Sequence, residues 1–367
     1  MKYEINNDIH FYFPKRKVKK VDSSSYIIST MESLAQMYYF SNYFLKSNFK
    51  NVLGSSKNNE NGIVPLFKDY MENLWKKEKE KEEFSPKSFL KKLIKISNLS
   101  VKEEVDPLIF YNNILEQLNK ELNGKDPDIK KYFEMTINIF NYNTELEKFY
   151  KDFINNNNSI VSKLLFGIIK LNKACCFCSE TEKNTEYEKF DIIEINIAEL
   201  CNTKHEEDNS LTKIYFDECI DIYFSNHKEK SKKCDCGKDD FNVTKKIVKC
   251  PNYLTFKINW GDFIPNKGFS SSIEYIFPTY NYLDNIDIIE LKKDYLDNDN
   301  NGNNIKYRLF STIDYYQKNN IFITKYKIKE EKKDHWYSTW CNNTGKQILS
   351  FEDNFTSPVL LFYERIQ

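Results

Sequence analysis

The stretch Thr244 to Trp260, TKKIVKCPNYLTFKINW, decides the fold class. Its two parts, KKIVKC (Lys245 to Cys250) and YLTFKINW (Tyr253 to Trp260), are short runs of β-branched and aromatic residues, the composition that fits a pleated, half-buried surface. The same texture recurs in FDIIEINI (Phe190 to Ile197), KYRLFSTIDYY (Lys306 to Tyr316), NIFITKYKIK (Asn320 to Lys329) and PVLLFYERI (Pro358 to Ile366), so the chain from Ser159 onward reads as β-rich. DNDNNGNN (Asp297 to Asn304) reads as a turn or loop between runs. Upstream, from Thr30 to about Phe140, the pattern is helical. SLAQMYYFSNYFL (Ser33 to Leu45) is apolar all round, as in one buried helix, while LFKDYMENLW (Leu66 to Trp75) and PLIFYNNILEQLNKEL (Pro107 to Leu122) repeat apolar residues at three- and four-residue steps. Three packed helices are expected there, joined by solvated loops at 57–62 and 76–83. Helices first and strands second make the class α+β.

Composition narrows the function. Lys plus Arg and Asp plus Glu both number 54 in 367 residues, so the net charge is zero, which argues against a surface made to grip nucleic acid or an anionic membrane. A hydrophobic fraction of 40% with 16% aromatics excludes a disordered chain. No apolar run is long enough to span a membrane and the start lacks the pattern of a signal peptide, so an intracellular protein of the nucleus or cytoplasm is expected. The block KRKVKK (Lys15 to Lys20), in an N-terminal arm of residues 1–20, reads either as a nuclear import signal or as a solvated basic arm.

Nine cysteines in a reducing compartment point to metal ligands before disulfides. Cys175-x-x-Cys178 and Cys234-x-Cys236 supply two thiolate pairs on tight turns, a set suited to a tetrahedral structural zinc that staples the tips of two β-hairpins. Cys176, Cys250 and His227 are alternative ligands, and buried free thiols are the competing reading.

Several segments, in order, resemble the ubiquitin-specific protease family, papain-like deubiquitinases of the peptidase C19 class. SSYIISTMESLAQ (Ser24 to Gln36) is similar to the family's Cys box, N-x-G-N-T-C-Y-M-N-S-V-L-Q. EVDPLIFYNNILEQL (Glu104 to Leu118) is similar to its Q-Q-D-A-x-E-F-L box, and SIVSKLLFG (Ser159 to Gly167) resembles its S-x-I-x-x-L-F-x-G strand. The first cysteine pair with EYEKFDIIEINI, then FDECIDIYFSN (Phe216 to Asn226), then the second pair with TKKIVKCPNYLTFKINW, resemble the fingers. IEYIFP, YRLFSTIDYY, Trp336-Tyr337 and SPVLLFYERI resemble the C-terminal strands. The resemblance covers about Val21 to Gln367. It implies a helical thumb (about 21–150), β-rich fingers with zinc knuckles (about 155–260) and a palm sheet (mainly 261–367), with ubiquitin or a ubiquitin-like protein as the partner.

Residue by residue, the resemblance implies a lost active site. A cysteine protease needs a thiolate, a His base and a group orienting that His. The nucleophile position falls on Ser29, the base on Phe322, the orienting residue on Trp340 and the oxyanion-hole Asn on Ser24, while a further family His falls on Tyr315. No cysteine precedes Cys175, so no shift of register supplies a thiol. His335, placed in a loop before the last strands, His10 before the domain, and His205 and His227 in charged finger loops are read as solvated or packing residues, and Cys341 as an inert thiol. Trp260, Phe322 and Trp340 would fill the channel that takes a ubiquitin tail. A catalytically inactive scaffold that binds ubiquitin or partners in a larger assembly is expected; an active hydrolase in an unrecognised register, or a structural subunit of the kind represented by the inactive spliceosomal member, are the alternatives.

Overall fold

The computed structural model describes residues 18–19, 24–46, 62–75, 82–97, 105–125, 144–178, 184–197, 214–230, 234, 236–259, 283–284, 286–297, 304–316, 321–329, 334–340, 343–348 and 356–366. Most of KRKVKK, the loops 57–61 and 76–81, IEYIFP, Trp260, residues 298–303, His10, His205 and Cys341 lie outside them. The chain divides into two compact units, Met1–Leu122 with Phe310–Leu360, and Asn123–Leu309 with Leu361–Gln367.

Among the described residues the first unit has five helices: α1 (Ser25–Gln36), α2 (Tyr38–Lys46), α3 (Ile63–Leu74), α4 (Lys87–Ser97) and α5 (Pro107–Leu122). The single helix expected over Ser33 to Leu45 is two, because Met37 takes an extended conformation (φ −72°, ψ 99°). The break is stitched locally, with Ser41 Oγ donating to the Ala35 carbonyl (2.8 Å) and Ser41 N to Met37 O (2.8 Å). Helix α5 begins as expected. Pro107 fills a first-turn position that has no intrahelical use for an N–H, and the Asp106 carboxylate accepts from Leu108 N at 2.9 Å. Its buried positions Phe110, Tyr111, Ile114, Leu115, Leu118 and Leu122 form one stripe. Helix α3 is capped from a distance: the Glu121 carboxylate on α5 accepts from Ile63 N (2.8 Å) and Val64 N (3.0 Å). Gly62 makes room for it, since a Cβ there would lie 2.5 Å from Glu121 Oε2. The core between these helices is aromatic, with Phe44 and Phe67 rings 4.7 Å apart and Tyr70 against Phe89 at 4.6 Å. Helix α4 was not anticipated; its KSFLKKLIKIS sequence buries Phe89, Leu90 and Leu93 and leaves its lysines outward.

The same unit carries an antiparallel array in the order β13 (Asn343–Ile348), β12 (Asp334–Trp340), β11 (Ile321–Lys329) and β10 (Ile305–Tyr316, entering the unit at Phe310). His335 therefore stands within strand β12, opposite Ile328, and not in a loop.

In the second unit, β1 (Gly167–Cys175), β2 (Asn184–Phe190), β5 (His227–Lys230) and β6 (Asp240–Lys249) form a four-stranded antiparallel sheet in the order β2-β1-β6-β5. His227 belongs to strand β5, again a strand where a loop was expected. A second group has β7 (Tyr253–Asn259) between β14 (Thr356–Arg365, entering the unit at Leu361) and β3 (Ile192–Asn196), with β3 parallel to β7. The short strands β4 (Ile214–Tyr215) and β8 (Leu283–Asp284) pair, and β9 (Ile288–Leu291) pairs with the start of β10. Three helices accompany them: α6 (Thr144–Asn156), α7 (Ile160–Leu165) and α8 (Phe216–Phe224). The segment Ser159 to Gly167, expected as a strand, is helix α7 up to Leu165. Ser159 and Ser162 form a reciprocal capping box that starts the helix, and this local pairing outweighs the β-branched composition. At Gly167 the strand begins under the Phe190 ring, which a Cβ would meet at 2.2 Å.

Candidate functional site

Positions to which the resemblance assigns catalytic roles, Ser24, Ser29 and Phe322, lie at one seam of the first unit, between α1 and β11. Eleven of the twelve residues of α1 are buried, Ser29, Thr30 and Ser33 among them. Small side chains let the helix backbone come close to the strand, and each polar group then needs a partner, because an unpaired buried hydroxyl costs about 1–3 kcal/mol. Thr30 Oγ1 donates to the Tyr26 carbonyl at 2.8 Å, within the helix. Ser33 Oγ lies 3.1 Å from Ser311 Oγ of β10.

The partnership with β11 follows from how the sheet ends. Strand β12 opposes β11 from Lys329↔Asp334 only as far as Thr324↔Thr339, so the β11 edge beyond Thr324 needs another partner. Helix α1 supplies it. The Phe322 N–H donates to Ser25 Oγ at 2.8 Å, and Thr324 Oγ1 donates to the Ser29 carbonyl at 3.1 Å. The spacings match: four residues along a helix rise ~6 Å and two along a strand ~6.6 Å, so Ser25 and Ser29 present the same step as Phe322 and Thr324.

Among the described side chains at the assigned positions, Ser24, Ser29, Tyr315 and Phe322, none is a carboxylate or an imidazole. The Phe322 ring, in a residue only 3% exposed, lies against Tyr315 with centroids 5.2 Å apart. Ser24 and Ser29 are also buried. Trp340 ends β12 beside Thr339, so its backbone is at the seam; its side chain is outside the description. Lys325 could be considered as a base, yet side chains alternate along a strand, and Thr324 faces α1, so Lys325 faces away. There it forms an ion pair with Asp314 (2.8 Å; side chains 3% and 1% exposed), and Asp314 also accepts from Thr312 Oγ1 at 2.6 Å. The buried Glu32 carboxylate acts on two phenols: burial first, then Glu32, raises the pKa of Tyr70 and of Tyr326 above the ordinary tyrosine value. Among the described side chains the one histidine is His227, in the other unit, with Nε2 3.8 Å from Glu229 Oε2. Sequence reasoning missed Ser25, Thr324 and the Asp314–Lys325 pair; the consecutive Ser24 and Ser25 ahead of an apolar run were a visible sign of a helix start, not of the bond to Phe322.

The second candidate is the cysteine cluster, wholly within the second unit. Cys175 and Cys178 lie at the β1–β2 turn and Cys234 and Cys236 at the β5–β6 turn, with all four Sγ atoms within 4.8 Å of one another. Close approaches run between hairpins: Cys178 to Cys234 at 3.4 Å and Cys175 to Cys236 at 3.6 Å. Backbone bonds shape the second turn, Cys234 N to Lys238 O and Gly237 N to Cys234 O, both 2.7 Å, and Gly237 takes φ 81°, a left-handed conformation open to glycine. The Phe177 N–H, aimed at Cys175, brings that thiol down to about 7, while the neighbouring thiols, Cys234 first, push Cys178 up. A tetrahedral zinc with bonds of ~2.3 Å needs sulfurs ~3.8 Å apart, so the four thiols fit the ion. The alternative ligands Cys176, Cys250 and His227 are not part of this group.

Residues 18–363 match the family described as ubiquitin carboxyl-terminal hydrolase. Among solved structures, the SAGA DUB module of Ubp8, Sgf11, Sus1 and Sgf73 bound to monoubiquitin superimposes with a TM-score of 0.65 at 14% identity, covering 98% of this chain and 71% of that one. The yeast SAGA DUB module carrying a substituted Sgf73 gives 0.65 at 14%, with coverage of 98% and 70%. A further Ubp8 module, with a truncated Sgf11, gives 0.61 at 15%, with coverage of 94% and 67%. No curated protein sequence matches the chain. No helix among the described residues is long and apolar enough to cross a membrane. With nearly its whole length matched and the fold shared, the chain belongs to the ubiquitin carboxyl-terminal hydrolase family and has the papain-like α+β fold of its ubiquitin-specific proteases.

Proposed function

We propose that this chain is a non-hydrolytic member of its family, a scaffold that docks ubiquitin, a ubiquitin-like protein or the subunits of a larger assembly. The observation that carries the reading is the seam: where a nucleophile and its base would face each other, the Phe322 N–H is bonded to Ser25 and Thr324 to the Ser29 carbonyl. A serine hydroxyl attacks a carbonyl only when a base takes its proton, and the side chain at 322 is a hydrocarbon ring. Solved relatives of the same fold support the partner class, since they bind monoubiquitin or assemble with Sgf11, Sus1 and Sgf73. In this reading residues 21–150 form the thumb, 155–260 the fingers and 261–367 the palm, zinc holds Cys175, Cys178, Cys234 and Cys236 together in a structural role, and the protein works in the nucleus or cytoplasm. Ubiquitin binding, where it occurs, uses surfaces other than a tail channel, because Phe322 and Tyr315 are packed into the seam.

Purified chain incubated with ubiquitin-amidomethylcoumarin is expected to release no fluorophore above background, and a ubiquitin-propargylamide probe to label no cysteine. Hydrolysis abolished by Ser29→Ala, or probe labelling of any cysteine, would overturn the proposal. Calorimetric titration with intact ubiquitin and with ubiquitin lacking its last residues is expected to give indistinguishable results; micromolar binding dependent on the tail would refute the packed channel.

A further inference from the structure

The four cysteines do more than fit an ion, and the way they are paired in space has a chemical consequence. Two of their sulfur separations, 3.4 Å for Cys178 with Cys234 and 3.6 Å for Cys175 with Cys236, join different hairpins at close range. The adjacent alternatives are unequal. A C-x-x-C pair can close a local disulfide, but Cys234-x-Cys236 would have to close a small ring across a single residue, with little freedom to reach the Cβ–S–S–Cβ dihedral of about ±90° that an unstrained disulfide takes. If Cys175 and Cys178 joined each other, Cys234 and Cys236 would be left with that strained partner. Complete oxidation of the cluster therefore runs between the hairpins, and closing ~3.5 Å to a bond of ~2.05 Å asks each sulfur to move by less than ~1 Å. Access is also uneven: Cys236 is exposed and the other three are half-buried.

We propose that this cluster is an oxidation site at which hydrogen peroxide exchanges a metal staple for two disulfides, Cys175–Cys236 and Cys178–Cys234, with the two hairpins remaining joined. The proposal rests on the zinc reading for its loaded form. The Cys236 thiolate attacks one peroxide oxygen, breaking the O–O bond to give a sulfenic acid and hydroxide; the Cys175 thiolate then attacks that sulfur and expels a second hydroxide. Cys178 and Cys234 repeat the sequence with a second peroxide. Four thiolates lose four electrons in all, two peroxides accept them, four protons from solvent convert the hydroxides to water, and the ion leaves unchanged because no thiolate remains to hold it. Both end states connect the β1–β2 turn to the β5–β6 turn, so the four-stranded sheet keeps its order in each.

The full chain, purified with zinc, is treated with hydrogen peroxide while released zinc is read with a metallochromic dye, free thiols are counted, and disulfides are mapped by mass spectrometry of non-reduced peptides. The expected result is one zinc released for four thiols lost, peptides cross-linked as 175–236 and 178–234, and restoration of both counts by dithiothreitol with added zinc. Cys236→Ser is expected to slow zinc release several-fold and to leave 178–234 as the cross-link formed. The same mapping on chelator-treated, reduced chain separates the two readings: a chain that never carried zinc but still gives the 175–236 and 178–234 peptides fails the metal reading and keeps the pairing. A Cys175–Cys178 product, a cross-link through Cys176, or sulfinic and sulfonic acids without cross-links would overturn the proposal.

Discussion

Replacing Ser25 with alanine removes the acceptor of the Phe322 N–H, so it measures how firmly α1 is fastened to β11. The bond is 2.8 Å long, both residues are almost wholly buried, and among the described residues the pairing of β12 with β11 ends at Thr324↔Thr339, short of this amide. Leaving a buried N–H unpaired costs about 1–3 kcal/mol. The better helix propensity of alanine returns up to ~0.5 kcal/mol. The net expectation is a loss of about 0.5–2.5 kcal/mol. Thr324→Val removes a donor and leaves a carbonyl with a second lone pair, so about 0.5–1.5 kcal/mol is expected. Because Ser25 and Ser29 are one helical turn apart, the double variant should deviate from additivity. Urea denaturation gives the global change, read as a shift of midpoint at constant slope. Hydrogen exchange gives the local one: peptides covering 25–36 and 321–326 should be protected in the wild type and lose protection together in Ser25→Ala. If Ser25→Ala costs less than ~0.5 kcal/mol and exchange at 321–326 is already rapid in the wild type, the seam is an open cleft and the reasoning fails.

Three further outcomes test other parts of the molecule. Glu121→Ala should destabilise the first unit by about 1–2 kcal/mol and speed exchange at Ile63 and Val64, since it uncaps α3, and Glu121→Asp should recover little because the shorter arm cannot reach both amides; unchanged exchange would remove Glu121 from that role. Lys325→Met should cost about 3–5 kcal/mol by stranding the Asp314 carboxylate, whereas Asp314→Leu with Lys325→Met should lie near wild type, and a double variant as damaged as the single would show that the charge pair itself is required. Lys249 gives a pH signature: burial holds its pKa down at about 7, with the amine donating to the Ser162 and Phe166 carbonyls. The unfolded chain keeps that proton to about pH 10, so between roughly 7 and 10 the unfolded state binds more protons and this group's contribution to stability rises with pH. Wild type minus Lys249→Met should show that rise in urea midpoint; a difference flat with pH would contradict it.

What the sequence disclosed and what it concealed divide by range. Pro107–Leu122 was legible to the residue because its start, its stripe and its length are all local signals. So were the two cysteine pairs, whose spacing of two or three positions announces ligand chemistry wherever the pairs fall. Local signals also misled where two competed. The run Ser33 to Leu45 is apolar throughout, and no periodicity marks the turn at Met37; SIVSKLLFG has strand-like composition, yet its Ser159 and Ser162 cap a helix. The seam was illegible for a different reason. Ser25 and Phe322 are 297 positions apart, and a serine carries no sign of which amide it will meet. The Glu121 cap over 58 positions is the same case.

These two kinds of legibility bear on the proposed loss of catalysis. A hydrolytic site must hold a nucleophile and a base apart by the width of an incoming carbonyl, with reacting atoms ~3–3.5 Å apart and polar groups kept short of partners until substrate arrives. Such an arrangement works against stability, because it leaves buried polar groups unsatisfied and space unfilled. Once the position at 322 carries no base, nothing opposes the more stable solution: the ring packs on Tyr315, its amide takes the nearest hydroxyl, and the helix settles onto the strand at Ser25 and Ser29. A thiol introduced at position 29 would therefore enter a packed interface with its neighbours already bonded, and restoring chemistry would require reopening the seam as well as supplying the missing groups.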